Sequence, residues 1–227
     1  MLGRILTSGL IAGAVAGLCA AVLQLLFIQP VLLHAELYEG GELVHFGAAS
    51  GPADRPEFGL DPVRDGLSVI FSMLTYAGYA LILVALMALA EGRGAVISVR
   101  NGIHWGVGGF VAVLLAPAFS LAPEVPGVAA ADILPRQVWW FATVFAAGAA
   151  MWLLAFGQGR LAWGAVVVLL LAPHVVGAPE PDSFSGPAPT ELGALFATRV
   201  LGVGLVAWAL LGIVSAALWS SGGETAS

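Results

Sequence analysis

Six continuous apolar stretches, at about residues 5–33, 67–90, 102–121, 138–156, 161–176 and 194–219, dominate this sequence. A helix needs about 20 consecutive apolar residues to cross a bilayer, so these stretches have the length of crossings. In lipid, every backbone N–H and C=O must be bonded within the protein, which leaves helices or closed barrels. The stretches lack the alternation of a barrel strand. The expected fold is an all-α integral membrane protein of about six transmembrane helices, a single polytopic membrane domain over residues 1–227. Composition agrees: 59% of residues are hydrophobic and only 10% are charged, against roughly 25% charged in soluble domains. The fourth and fifth stretches are separated only by Gly157-Gln158-Gly159-Arg160, a tight turn between antiparallel helices.

The run from Ile5 to Phe27 exceeds the roughly 7–15 apolar residues of a secretory signal and is expected to be the first membrane helix. Cys19, the single cysteine, excludes an internal disulfide framework and is read as helix packing. A lipoprotein site needs a small residue where Leu18 stands. The net charge of −6, with no lysine and no basic cluster, removes the surface that binding to nucleic acid requires.

Arg4, Arg93, Arg100 and Arg160 fall on the face of the N-terminus; Arg55, Arg64, Arg136 and Arg199 fall on the other. The arginine-bearing loops of the first face are short and Arg4 flanks the first helix, so the positive-inside tendency places both termini in the cytoplasm. Acids are more lopsided. All but Glu91 and Glu224, 12 of 14, fall on the outer face, including an outer acidic loop over residues 34–66. Such a field concentrates cations near an entrance, although loops also carry charge simply to stay solvated.

The chain repeats itself at an offset near 56 residues. Leu114-Leu115-Ala116-Pro117 followed by Ala122-Pro123-Glu124 matches Leu170-Leu171-Ala172-Pro173 followed by Ala178-Pro179-Glu180. Phe141-Ala142-Thr143 matches Phe196-Ala197-Thr198, Trp152 matches Trp208, and Trp105-Gly106 answers Trp163-Gly164. The helices are therefore expected as tandem two-helix hairpins, about residues 5–90, 102–156 and 161–219, the first fitting weakly. Each odd helix carries a proline near its outer end, Pro30, Pro117 or Pro173. Proline leaves a carbonyl that protein or a water-filled cavity must satisfy. The three are expected either to line one central outward-facing cavity or merely to end helices at the interface. Gly9, Gly13 and Gly17, and likewise Gly102 and Gly106, have the spacing of close helix contacts. Trp139, Trp140, Trp163 and Trp219 stand at span ends, where interfacial anchors are expected.

Histidine is the informative residue type, because its neutral ring binds divalent transition metals. His34, His45 and His174 fall on the outer side; His104 does not and reads as an interface residue. If the first helix continues past Pro30, His34 comes within one to one-and-a-half turns of Glu36 and Glu39, while His174 follows Pro173 near Glu180 and Asp182. His34, Glu36, Glu39 and His174 are the candidate metal ligands. Such a nitrogen and oxygen set would accept Co2+, Ni2+ or Zn2+, with little to choose between them by affinity. Each histidine has a plainer reading as a helix cap or a carbonyl partner. Gln24 and Gln29 are read as interhelical hydrogen bonders, and Arg199 as the partner of an outer acid. No phosphate loop, H-E-x-x-H pair or G-x-S-x-G elbow is present, so no enzyme is expected and no permanently bound cofactor.

Gln29-Pro30, His34-Ala35-Glu36-Leu37-Tyr38-Glu39, His104-Trp105-Gly106, Leu115-Ala116-Pro117, Arg136-Gln137-Val138-Trp139-Trp140 and Pro173-His174-Val175-Val176-Gly177-Ala178-Pro179 together resemble the CbtA family of cobalt transporter subunits, over nearly the whole chain. The resemblance implies cobalt import for cobalamin synthesis across a bacterial cytoplasmic (inner) membrane. It implies a small single-helix, histidine-bearing partner subunit, CbtB; it carries no established ligands. The expected function is a cobalt uptake permease or permease subunit, the alternative being a non-transporting membrane scaffold or assembly subunit.

Overall fold

The computed structural model describes residues 1–45, 59 and 61–224. In chain order the helices are α1 (Leu2–Leu23), a π-helical segment (Gln24–Ile28), α2 (Gln29–Glu39), α3 (Pro62–Glu91), α4 (Val99–Phe110), a second π-helical segment (Val111–Leu115), α5 (Ala116–Ser120), α6 (Ile133–Phe156), α7 (Gly159–Val176) and α8 (Thr190–Glu224). With each π segment counted as part of its helix, six helices among the described residues are long and apolar enough to span a membrane: Leu2–Glu39, Pro62–Glu91, Val99–Ser120, Ile133–Phe156, Gly159–Val176 and Thr190–Gly222. No strand occurs among the described residues. The protein is all-α and multi-pass, as its apolar stretches predict.

Two boundaries move, for reasons visible in the local chemistry. The first helix passes Pro30 and ends only at Glu39, because Pro30 falls in the first turn of α2, where a missing N–H breaks nothing. The preceding π segment supplies the wider turn that proline demands. The same π-then-proline order recurs at Val111–Leu115 and Pro117, whereas Pro173 sits inside an uninterrupted α7. The second helix begins at Pro62, ahead of its apolar stretch, because Asp61 caps it: Oδ1 accepts from the backbone N–H groups of Val63 and Arg64 at 3.0 and 3.1 Å. The Asp65 carboxylate accepts from the Asp61 N–H in return. The loop expected over residues 34–66 therefore shrinks to the chain between Glu39 and Pro62. Asp54, Arg55 and Glu57 lie outside the described residues.

The chain divides into two compact units. The first comprises Met1–Leu26, Leu60–Phe110 and Gly202–Ser227. Its helices meet at glycines. A Cβ on Gly17 would come 2.6 Å from Cα of Met73, and one on Gly13 would strike the backbone of Ala77, so α1 and α3 touch main chain to main chain. Gly102 and Gly106 of α4 press in the same way on Gly212 and Trp208 of α8. Trp219 is 1% exposed, so it is no headgroup anchor. Its indole N–H donates to Glu91 at 3.1 Å, its carbonyl accepts from Arg4 at 2.6 Å, and the Arg4 guanidinium lies 4.1 Å above its ring. One tryptophan thus joins the ends of α1, α3 and α8.

The second unit comprises Phe27–Gly59 and Val111–Leu201. Here α6 and α7 form an antiparallel pair around the expected turn, with Gly159 at φ +78°. Trp139 is buried and donates its indole N–H to the carbonyl of Pro173 at 3.0 Å, so it too belongs to the packing; Trp163 is exposed, as an anchor is.

Candidate functional site

The candidate ligands belong to the second unit. Three ride on α2, whose buried face carries Ala35 and Tyr38. These pack with Val125 and Ala188 from the two later loops, and Leu43, Val128, Leu192 and Phe196 close around them. The loops are tied together by the Ala129 N–H donating to the Ser185 carbonyl at 2.8 Å. Gly127, at φ +80°, fits over Glu39: a Cβ there would meet the Glu39 Cβ and Cγ atoms at 3.1 Å and Pro187 at 3.2 Å. The stem of Glu39 is held in this way on an exposed residue, and Glu36, three residues earlier, is exposed as well. His34 is half-buried, its ring 5.5 Å from that of Tyr38, one turn further along the same helix.

His174 has different surroundings. Near the end of α7, its Nδ1 lies 2.8 Å from the Ser120 hydroxyl, and its ring meets Phe119 and Trp139 at centroid distances of 5.0 and 5.9 Å. The sequence proposed Glu180 and Asp182 as its neighbours; its hydrogen-bond partner is instead a serine of α5. That contact has chemical use. With the proton on Nδ1 and donated to Ser120, Nε2 keeps the lone pair a metal needs, which is how hydrogen-bonded histidines are commonly set for ligation. His45 is half-buried beyond α2, and His104 is exposed on α4 in the first unit. Among the described residues no three His, Cys, Asp or Glu side chains gather as a metal site. His34, Glu36 and Glu39 thus follow one another along α2 without gathering as a site, and His174 has a separate environment.

Two further polar contacts escaped the sequence reading, and a third has the expected hydrogen bonder Gln24 as one partner. Arg199 donates to the carbonyl of Phe27 at 2.8 Å rather than to an acid. That carbonyl lies within the first π segment, three residues ahead of Pro30. Arg136 and Glu124 form an ion pair at 2.6 Å. In the first unit, Gln24 accepts a long hydrogen bond of 3.4 Å from Ser72. Only this last contact had a signal, since an amide inside a membrane helix demands a partner.

The three prolines have different surroundings. Pro30 is exposed, Pro117 is buried and Pro173 is half-buried with its carbonyl engaged by Trp139. A groove of about 230 Å³ is lined by Pro117 but by neither of the others.

Fold and site together define a multi-pass helical membrane protein that carries His34, Glu36 and Glu39 at the end of its first span and His174 near the end of its fifth. The chain belongs to the CbtA family: the family model described as "Probable cobalt transporter subunit (CbtA)" matches residues 2–220. Comparison with curated proteins gave no match, and comparison with solved structures gave none. Family membership supports a role in transport, with cobalt as the transported ion.

Proposed function

We propose that the chain is a cobalt uptake permease subunit of a bacterial cytoplasmic membrane, with both termini in the cytoplasm, serving cobalamin biosynthesis. The family match over residues 2–220 carries this reading. His34, Glu36, Glu39 and His174 collect the ion as successive weak contacts rather than as one closed cage. Successive weak contacts suit a carrier, which must bind its ion firmly enough to take it up and loosely enough to release it. The remaining coordination positions are filled by water and by histidines of a small single-helix, CbtB-like partner.

The test is uptake of radiolabelled cobalt by cells expressing the chain with and without such a partner, beside a His34→Ala/His174→Ala double variant. Accumulation that needs the chain and falls in the double variant supports the reading. Accumulation unchanged by the double variant removes these ligands, and none under any pairing favours the scaffold.

A further inference from the structure

The groove beside Pro117 has the chemistry of a lipid site. Its walls are Val113 and Leu114 from the second π segment, Pro117 from α5 and Trp140 from α6, and Glu124 and Arg136 stand at its rim. The second π segment, Val111–Leu115, borders this hollow, which in a bilayer an acyl chain would fill. Arg136 donates one N–H to Oε2 of Glu124; its other N–H groups, and Oε1 of Glu124, make no hydrogen bond among the described residues. The two side chains are 27% and 33% exposed, so both remain open to a ligand. The second copy of the repeat lacks this arrangement: Glu180 is kept, but the positions answering to Arg136 hold Glu191 or Leu192.

We propose that this groove binds one zwitterionic phospholipid with a primary ammonium headgroup, its phosphate on Arg136, its ammonium on Glu124 and an acyl chain along Leu114, Pro117 and Trp140. The charges select the headgroup. An anionic glycerol lipid would set its phosphate beside the Glu124 carboxylate with Arg136 as the single cation for two negative charges. A choline lipid offsets the charge but has no N–H to donate to Oε1. Of these three, the ethanolamine headgroup alone meets both partners with charge-assisted hydrogen bonds.

The proposal is tested by native mass spectrometry of the purified full chain after equilibration with equal amounts of ethanolamine, choline and glycerol phospholipids. One ethanolamine lipid is expected to be retained with a preference of about tenfold, the worth of one charge-assisted hydrogen bond. Glu124→Gln removes the preference for ethanolamine over choline. Leu114→Trp fills the groove and abolishes retention while leaving the ion pair in place. Equal retention of the three lipids by the wild-type chain, or undiminished retention by Leu114→Trp, overturns the proposal; the wild-type competition decides alone if a variant fails to fold.

Discussion

Trp219 illustrates how much a single side chain settles in a protein with so few polar groups. Its ring, indole N–H and carbonyl each have a partner on another helix, Arg4 or Glu91. Trp219→Phe keeps most of the buried apolar surface but leaves the Glu91 carboxylate without its donor. The expected loss is about 1–3 kcal/mol, read as a lower midpoint of thermal unfolding in detergent. Arg4→Ala removes the cation–π contact and the hydrogen bond together and should cost at least as much. At His174 stability and transport are expected to separate: His174→Asn leaves Ser120 a polar partner and should unfold near the wild-type temperature, yet lose cobalt uptake. Retained uptake with normal folding would make His174 a packing residue. The sequence marked His34, Glu36, Glu39 and His174 by residue type, but nothing in it pointed to Ser120, since that contact joins helices 54 positions apart. Trp219 and Trp139 were read as anchors from their place at span ends; burial within the fold is a tertiary fact that hydropathy does not carry.

Among the elements, glycine spacing was the most legible signal. Gly9, Gly13 and Gly17 lie against α3, and Gly102 and Gly106 against α8, because a four-residue period aligns them on one helix face. Gly17→Ala should destabilise by about 1–3 kcal/mol, since its methyl meets backbone that has nowhere to move. Gly78 is the contrast: a Cβ there has nothing within 4 Å. Gly78→Ala should stabilise α3 by about 0.5–1 kcal/mol, and the same unfolding measurement checks both. The prolines were legible as disturbances of the odd helices but not in their consequences. Two are preceded by π segments and the third is not, and Pro117 lines a groove of its own. The repeat motifs share one local role: Thr143 and Thr198 each donate to the carbonyl four residues back, Trp139 and Ala194. They diverge where tertiary contacts differ, as Trp208 stacks on Tyr79 while Trp152 pairs with Phe156.

For the whole molecule, the count of six membrane-spanning helices followed from the length of the apolar stretches, and family membership from motifs spread over nearly the whole chain. A closed ligand set did not follow, because the candidates come from separate helices and their meeting depends on packing that periodicity cannot report. If the ion is passed among weak contacts, purified protein should bind cobalt only weakly, and adding the single-helix partner should tighten binding, as titration calorimetry would show. The most direct measurement is cobalt flux into proteoliposomes loaded with a cobalt-quenched fluorophore, with the chain reconstituted alone and with its partner. Quenching that requires the chain, saturates with cobalt and slows in the His34→Ala/His174→Ala variant is the predicted result. Quenching no faster than in protein-free liposomes, under either reconstitution, would contradict the assignment as a permease subunit.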